Sequence, residues 1–284
     1  MSGLRRILSD GRAVSGLALL AGLSLLALIG PSVHPLDPLV QRDILLTRFL
    51  APLTVDHLGT MHWLGTDALG RDLLARLIYG ARISLMVGLL SVAVSVALGT
   101  TVGVAAAVWG GWIERALMAL TDAALAMPRI VLLLVLVTLW EPSLEIIVLV
   151  LGFTGWMSLA RLTRAEVKGL QALPFVAAAR SIGLTRWQLV RRHLLPNALT
   201  PVIVVAALGV GNAIMLEAGL SFLGLGVPAP APSWGNMIAA GRDALVLAPW
   251  VATLPGIAVV TAVVGCNLLG DGVRDALDPR RRGL

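Results

Sequence analysis

The sequence predicts an all-α integral membrane protein with six transmembrane helices. Hydrophobic residues make up 57% of its 284 positions and charged residues only 13%. The apolar residues come in blocks longer than the about 18 needed to cross a ~30 Å hydrocarbon core. Lys and Arg gather at the ends of those blocks, where they act as topology signals. The spans must be helices, because lipid offers no partner to an unpaired backbone.

Taken in order, the expected spans are 13–30, 83–108, 116–140, 143–160, 198–220 and 248–269. Arg5, Arg6 and Arg12 precede the first apolar run, and no Ala-x-Ala cleavage site follows it. The run reads as an uncleaved signal anchor with the N-terminus in the cytoplasm, and six spans return the C-terminus to that side. Fifteen Lys and Arg then fall on cytoplasmic pieces against six on outer pieces. The expected organisation is a signal-anchor helix at 1–30, an extracytoplasmic loop at 31–82 and a core domain at 83–284. Pro31, Pro35 and Pro38 are expected to end the first helix. Glu141, Pro142 and Ser143 make a tight outer turn, and Pro228, Pro230 and Pro232 stiffen a second outer loop.

Composition excludes several classes. The net charge of +6 and pI near 11.1 suit nucleic-acid binding, but the arginines sit at span ends instead. The single cysteine, Cys266, lies in the last span, so an intrachain disulfide is excluded. No GxxxxGK[ST] phosphate loop occurs, so the chain is expected neither to bind nor to hydrolyse ATP. Ser158, Ser221 and Ser233 have no neighbouring histidine in the sequence, which argues against a membrane hydrolase. No cofactor, metal or catalytic residue is expected on this chain.

A basic stretch between two apolar spans, FVAAARSIGLTRWQLVRRHLLPN, carries the most information. Ala177, Ala178 and Ala179 supply a small face of high helix propensity. Gly183 permits a left-handed turn that stops the helix. Thr185 is placed to cap a second helix. Arg191, Arg192 and His193 are expected near that helix's end, where positive charge suits the dipole. Pro196 is expected to break the chain before the fifth span.

This stretch resembles the EAA loop of bacterial ABC-importer permeases, the part that docks on the ATPase subunit. Further segments resemble one branch of that family: GTDALGRD at 65–72, GLSFLGLG at 219–226, Ser233-Trp234-Gly235, and NLLGDGVRDALDP at 267–279. Together they resemble the second permease subunit of dipeptide, oligopeptide and nickel importers, over about 60–284.

The resemblance implies a type I ABC-importer permease architecture in the bacterial inner membrane, with a coupling loop at about 161–197. It implies a homologous permease partner, two ATPase subunits that carry ATP and Mg, and an extracytoplasmic solute-binding protein. The ATPase-coupling residues would be Ala177, Ala178, Ala179, Arg180, Gly183, His193 and Pro196. Where the family has Glu before the paired alanines, this chain has Ala177. That loss removes a charge-assisted contact worth about 1–3 kcal/mol.

Ionisable residues inside spans are functional candidates. Arg129 either faces the pathway, where it would meet a substrate carboxylate, or snorkels or joins an ion pair. It is expected on one helical face with Asp122, a position that matches the family. Asn212 and Glu217 either line the pathway or, for Glu217, make a structural hydrogen bond. In the outer motif, Gly65, Asp67, Gly70, Arg71 and Asp72 either form a local ion-pair network or dock the binding protein. Asp271 and Arg274 are expected to brace the cytoplasmic end. Short peptides are the expected solute, with nickel or another metal complex, or another small solute, as alternatives. A channel or an ATPase-coupled signalling scaffold is the alternative of a different class.

Overall fold

A computed structural model describes residues 9–34, 36–41 and 43–277. Arg5, Arg6, Pro35, Arg42 and the end of the closing motif from Asp278 lie outside the described residues. Five helices are long and apolar enough to span a membrane, or six if one bent pair counts as a span.

The first is α1 (Gly11–Val33), capped by Asp10, which accepts from the Arg12 and Ala13 N–H groups. Pro31 does not end it; the helix runs two residues further. Pro31 has no N–H for the Ala27 carbonyl. Arg82 supplies the missing donor: its Nε donates to Ala27 O at 2.5 Å and its Nη2 to Leu28 O at 3.0 Å. A neighbouring helix thus satisfies the freed backbone, as lipid cannot.

Between α1 and the next span lie a short helix α2 (Ile44–Thr47) and an antiparallel hairpin of β1 (Thr54–Val55) and β2 (Met61–His62). The second span, α3 (Leu73–Trp109), has 37 residues and begins ten positions earlier than the sequence suggested. Arg76 and Arg82 therefore belong to a helix rather than to a loop. The earlier start follows from Asp72, whose carboxylate caps the helix by accepting from Ala75 N at 2.7 Å.

The third span departs most from expectation. It is two helices, α4 (Gly111–Ala126) and α5 (Arg129–Thr138), bent by 91°. Met127 is extended at φ −80° and ψ 135°, the conformation that the following Pro128 imposes. Asp122 and Arg129 therefore do not share a helical face. The fourth span is α6 (Leu144–Phe153) and α7 (Trp156–Gln171), capped by Ser143. It continues about ten residues beyond its expected end.

Two short helices follow, α8 (Pro174–Ser181) and α9 (Arg186–Leu189). A π-turn at Val190–Leu194 joins α9 to α10 (Leu195–Phe222). A short α11 (Trp234–Gly241) precedes the last span, α12 (Trp250–Leu277).

The spans pack through small residues. Gly99 and Gly103 of α3 face α7 so closely that a Cβ on Gly103 would lie 2.6 Å from Ala160 O. This is the small-xxx-small geometry that lets membrane helices approach without a hydrophobic driving force. Val87, Leu133, Ile147, Leu151 and Leu220 form a fully buried core between α3, α5, α6 and α10. The bundle has a hairpin end, which holds the β strands, and an arginine end, which holds α8 and α9.

Candidate functional site

At the arginine end, α8 starts with Pro174 at its first turn, a position that lacks a helical partner anyway. Val176 and Ala179 turn inward and pack with Val167, Leu189 and Leu194. Ala177, Ala178 and Arg180 face outward. The three alanines therefore do not form one face, because a helix rotates successive residues by about 100°. Gly183 adopts φ +89°. Its N–H donates to Arg180 O, and Leu184 N–H donates to Ala179 O at 3.2 Å. That pair of bonds is a Schellman stop with Leu184 packed behind it.

Thr185 then caps α9 in a reciprocal box with Gln188. Pro196 does not break the chain. Leu195 N–H bonds to Val190 O, a five-residue step that widens the turn ahead of the proline ring. Residues 186–222 form one unbroken helix. Arg191, Arg192 and His193 thus lie near the start of a long helix and not at a helix C-terminus, so the dipole argument does not hold for them. The His193 ring lies against Phe175, with centroids 6.1 Å apart. Ile182 and Trp187 are exposed. The result is a rigid projection with a small and apolar tip.

Arg161, Arg164 and Lys168 of α7 are held by acids on α4. Arg161 Nε donates to Asp122 Oδ1 at 2.9 Å. Arg164 and Lys168 both reach Glu114 Oε1, at 2.6 Å and 2.5 Å. These pairs tie α4 to α7. Asp271 and Arg274 are exposed in the last turns of α12.

Within the spans, Glu217 is fully buried. Its Oε1 accepts from Ser221 Oγ at 2.7 Å and Ser233 Oγ at 2.8 Å. Ser84 Oγ lies 3.4 Å from Oε2 and accepts from Trp234 N. Glu217 therefore bridges α3, α10 and α11 from inside the bundle. Asn212 is exposed on α10. Arg129 is half-buried at the first turn of α5. It has no acidic partner among the described residues, and its Nε is buried without a hydrogen bond.

At the hairpin end, the GTDALGRD motif folds on itself. Gly65 and Gly70 adopt φ of 80° and 69°. Asp67 accepts from Arg71 Nε at 2.7 Å and lies 3.5 Å from Arg76. Asp72 meets His62 Nδ1 at 2.8 Å and His34 Nε2 at 3.0 Å. The other ring nitrogen of His62, Nε2, lies 3.5 Å from Asp56 Oδ2. Burial opposes ionisation of Asp56. The Thr60 and Leu58 N–H groups and the adjacent His62 outweigh that and hold its pKa below the usual carboxylate range. That His34 and His62 join Asp72 was not legible in the chain, since these residues are far apart in it or separated by a turn.

Taken together, these features define a multi-pass membrane permease fold with an exposed helical projection at one end. Residues 99–283 match the family of binding-protein-dependent transport system inner membrane components, and the chain belongs to that family. It is 41% identical over 221 residues to the dipeptide transport system permease protein DppC of Alkalihalophilus pseudofirmus, covering 78% of this chain and 73% of that one. It is 38% identical over 284 residues to the oligopeptide transport system permease protein OppC of Mycobacterium bovis, covering 99% and 94%. A solved structure of the MetNI methionine ABC transporter in inward-facing conformations aligns with a TM-score of 0.60 at 21% identity. That alignment covers 72% of this chain and 97% of that one. The likeness shows the type I ABC-importer permease fold.

Proposed function

We propose that this chain forms one half of the membrane pathway of an ATP-driven importer of short peptides. A homologous permease supplies the other half. Two ATPase subunits, which carry ATP and Mg, seat the projection at the arginine end, and a solute-binding protein delivers peptide at the hairpin end. The arginine end is then cytoplasmic, with both termini, in a bacterial cytoplasmic membrane. The excess of Lys and Arg at that end supports the orientation.

The observation that carries the reading is the projection itself. A short helix with a Schellman stop and a capped restart is rigid enough to be pushed. Ala177, Ala178, Arg180 and Gly183 are exposed there for docking, while His193 and Pro196 belong to its supporting turn. The relatives named as dipeptide and oligopeptide permeases support peptides as the solute. Arg129, a cation with no acidic partner among the described residues, suits a peptide carboxylate, and exposed Asn212 suits a polar pathway or the partner permease.

Uptake in a strain lacking the gene tests this. Labelled dipeptide, longer peptide and nickel are compared with and without the restored gene. Peptide uptake is expected to return with the gene, and not with a version lacking residues 175–193. Restored nickel uptake without a peptide effect overturns the solute.

A further inference from the structure

A groove of about 500 Å³ opens at the arginine end between α3 and the start of the 186–222 helix. On α3 it is walled by Thr101, Val104 and Val108, which recur at helical spacing on one face, with Trp109 at the helix end. The facing wall carries Arg186, Trp187, Arg191 and Leu195. The π-turn builds that wall. A regular helix would turn Leu194 toward the groove; the extra residue rotates the chain by about 100°, so Leu195 faces it and Leu194 is buried in the core.

The groove is amphipathic along its length. The two helices run in opposite directions, so Trp109 and Arg186 mark one end and Leu195 marks the deeper, apolar end. Trp109 and Trp187 are 61% and 70% exposed, in keeping with rings at a membrane–water boundary. Neither Arg186 nor Arg191 has an acidic partner among the described residues, unlike Arg161, Arg164 and Lys168. Two uncompensated guanidiniums beside an apolar slot match an amphiphile with a negative head and a hydrocarbon tail.

We propose that this groove binds one anionic phospholipid. Its phosphate lies between Arg186 and Arg191, and an acyl chain lies along Val104 and Val108. The proposal rests on the reading that this end is cytoplasmic, since the cytoplasmic leaflet is the one rich in anionic lipid. A lipid held there wedges α3 against the root of the coupling projection.

The test uses the purified assembly with its partner subunits. Phosphatidylglycerol and phosphatidylcholine of identical acyl chains are titrated in, and binding is read by native mass spectrometry. One phosphatidylglycerol per copy of this subunit is expected, bound in preference to phosphatidylcholine. The R186Q/R191Q variant, a change at exposed positions that leaves the core alone, is expected to weaken phosphatidylglycerol binding about tenfold. V104W, which fills the slot, is expected to weaken both lipids. Equal affinity of the wild type for the two lipids, or an unchanged preference in R186Q/R191Q, overturns the proposal. So does a W109C variant that cross-links in membranes to the partner permease, which would make the groove a subunit interface. Absence of phosphatidylglycerol binding to the wild-type assembly, with dipeptide uptake intact, sinks the lipid site alone. Lipid preference without peptide uptake sinks the transport reading alone.

Discussion

Pro31 and Arg82 illustrate how single side chains hold this bundle. The proline deletes a helix hydrogen bond on α1, and the arginine restores it from α3. Arg82→Ala is expected to destabilise the protein by about 1–3 kcal/mol, because two carbonyls lose a charged donor. Adding Pro31→Ala should recover part of that loss by returning an N–H to Ala27 O. Thermal unfolding of the four members of this cycle checks the coupling; additive effects would refute it. Glu217→Ala is expected to cost about 2–4 kcal/mol by stranding buried serine hydroxyls, and Glu217→Gln distinctly less. For Asp56, the folded-state pKa lies below its unfolded value, so its contribution is present above about pH 4 and lost as pH falls through the lowered value. The stability gap between wild type and Asp56→Asn should therefore shrink on acidification below about pH 4, as melts at pH 7 and pH 3.5 would read. Glu217 is conspicuous in the sequence as an acid inside a span. Ser221 lies one helical turn on, but Ser84, 133 residues away, was not legible as its partner. A separation of 38 residues likewise hid the meeting of His34 with Asp72.

At the scale of elements, hydropathy located most spans, and turn chemistry located the Gly183 stop and the Thr185 restart. Proline was the poor guide. Pro128 breaks a span through a right angle, Pro31 sits inside a helix, and Pro196 is carried through without a break. What decides each case is whether a neighbour accommodates the ring and satisfies the orphaned carbonyl. A side chain from α3 does so for Pro31, and a widened turn makes room for Pro196. At Pro128, Met127 swings to extended backbone. The start of α3 also moved for a local reason. Asp72 caps it ten residues ahead of the expected span, and caps weigh little in a hydropathy count. Close packing yields the prediction that belongs here. Gly103→Val puts a branched side chain where even a Cβ meets backbone at 2.6 Å, so α3 and α7 must separate. Thermal stability of the purified assembly is expected to fall by about 2–4 kcal/mol, with Gly103→Ala intermediate.

Over the whole molecule, the projection is useful only if its shape is fixed. Gly183→Val meets open space but demands φ +89° of a β-branched residue, at a cost of about 1–2 kcal/mol. Membrane insertion should be unaffected, because the site lies outside every span. Dipeptide uptake should drop sharply; uptake at wild-type level would show that the stop does not matter. The unbroken run from Arg186 to Phe222 has a further mechanical meaning. At ~1.5 Å per residue it is a rod about 55 Å long, so a tilt of about 5° swings its far end by roughly 5 Å. One end of the rod lies beside the projection, and the other carries Glu217 and its serine clasp to α3 and α11. Under the proposed coupling, a small push at the arginine end of this rod becomes a displacement of about 5 Å at the end that carries Glu217.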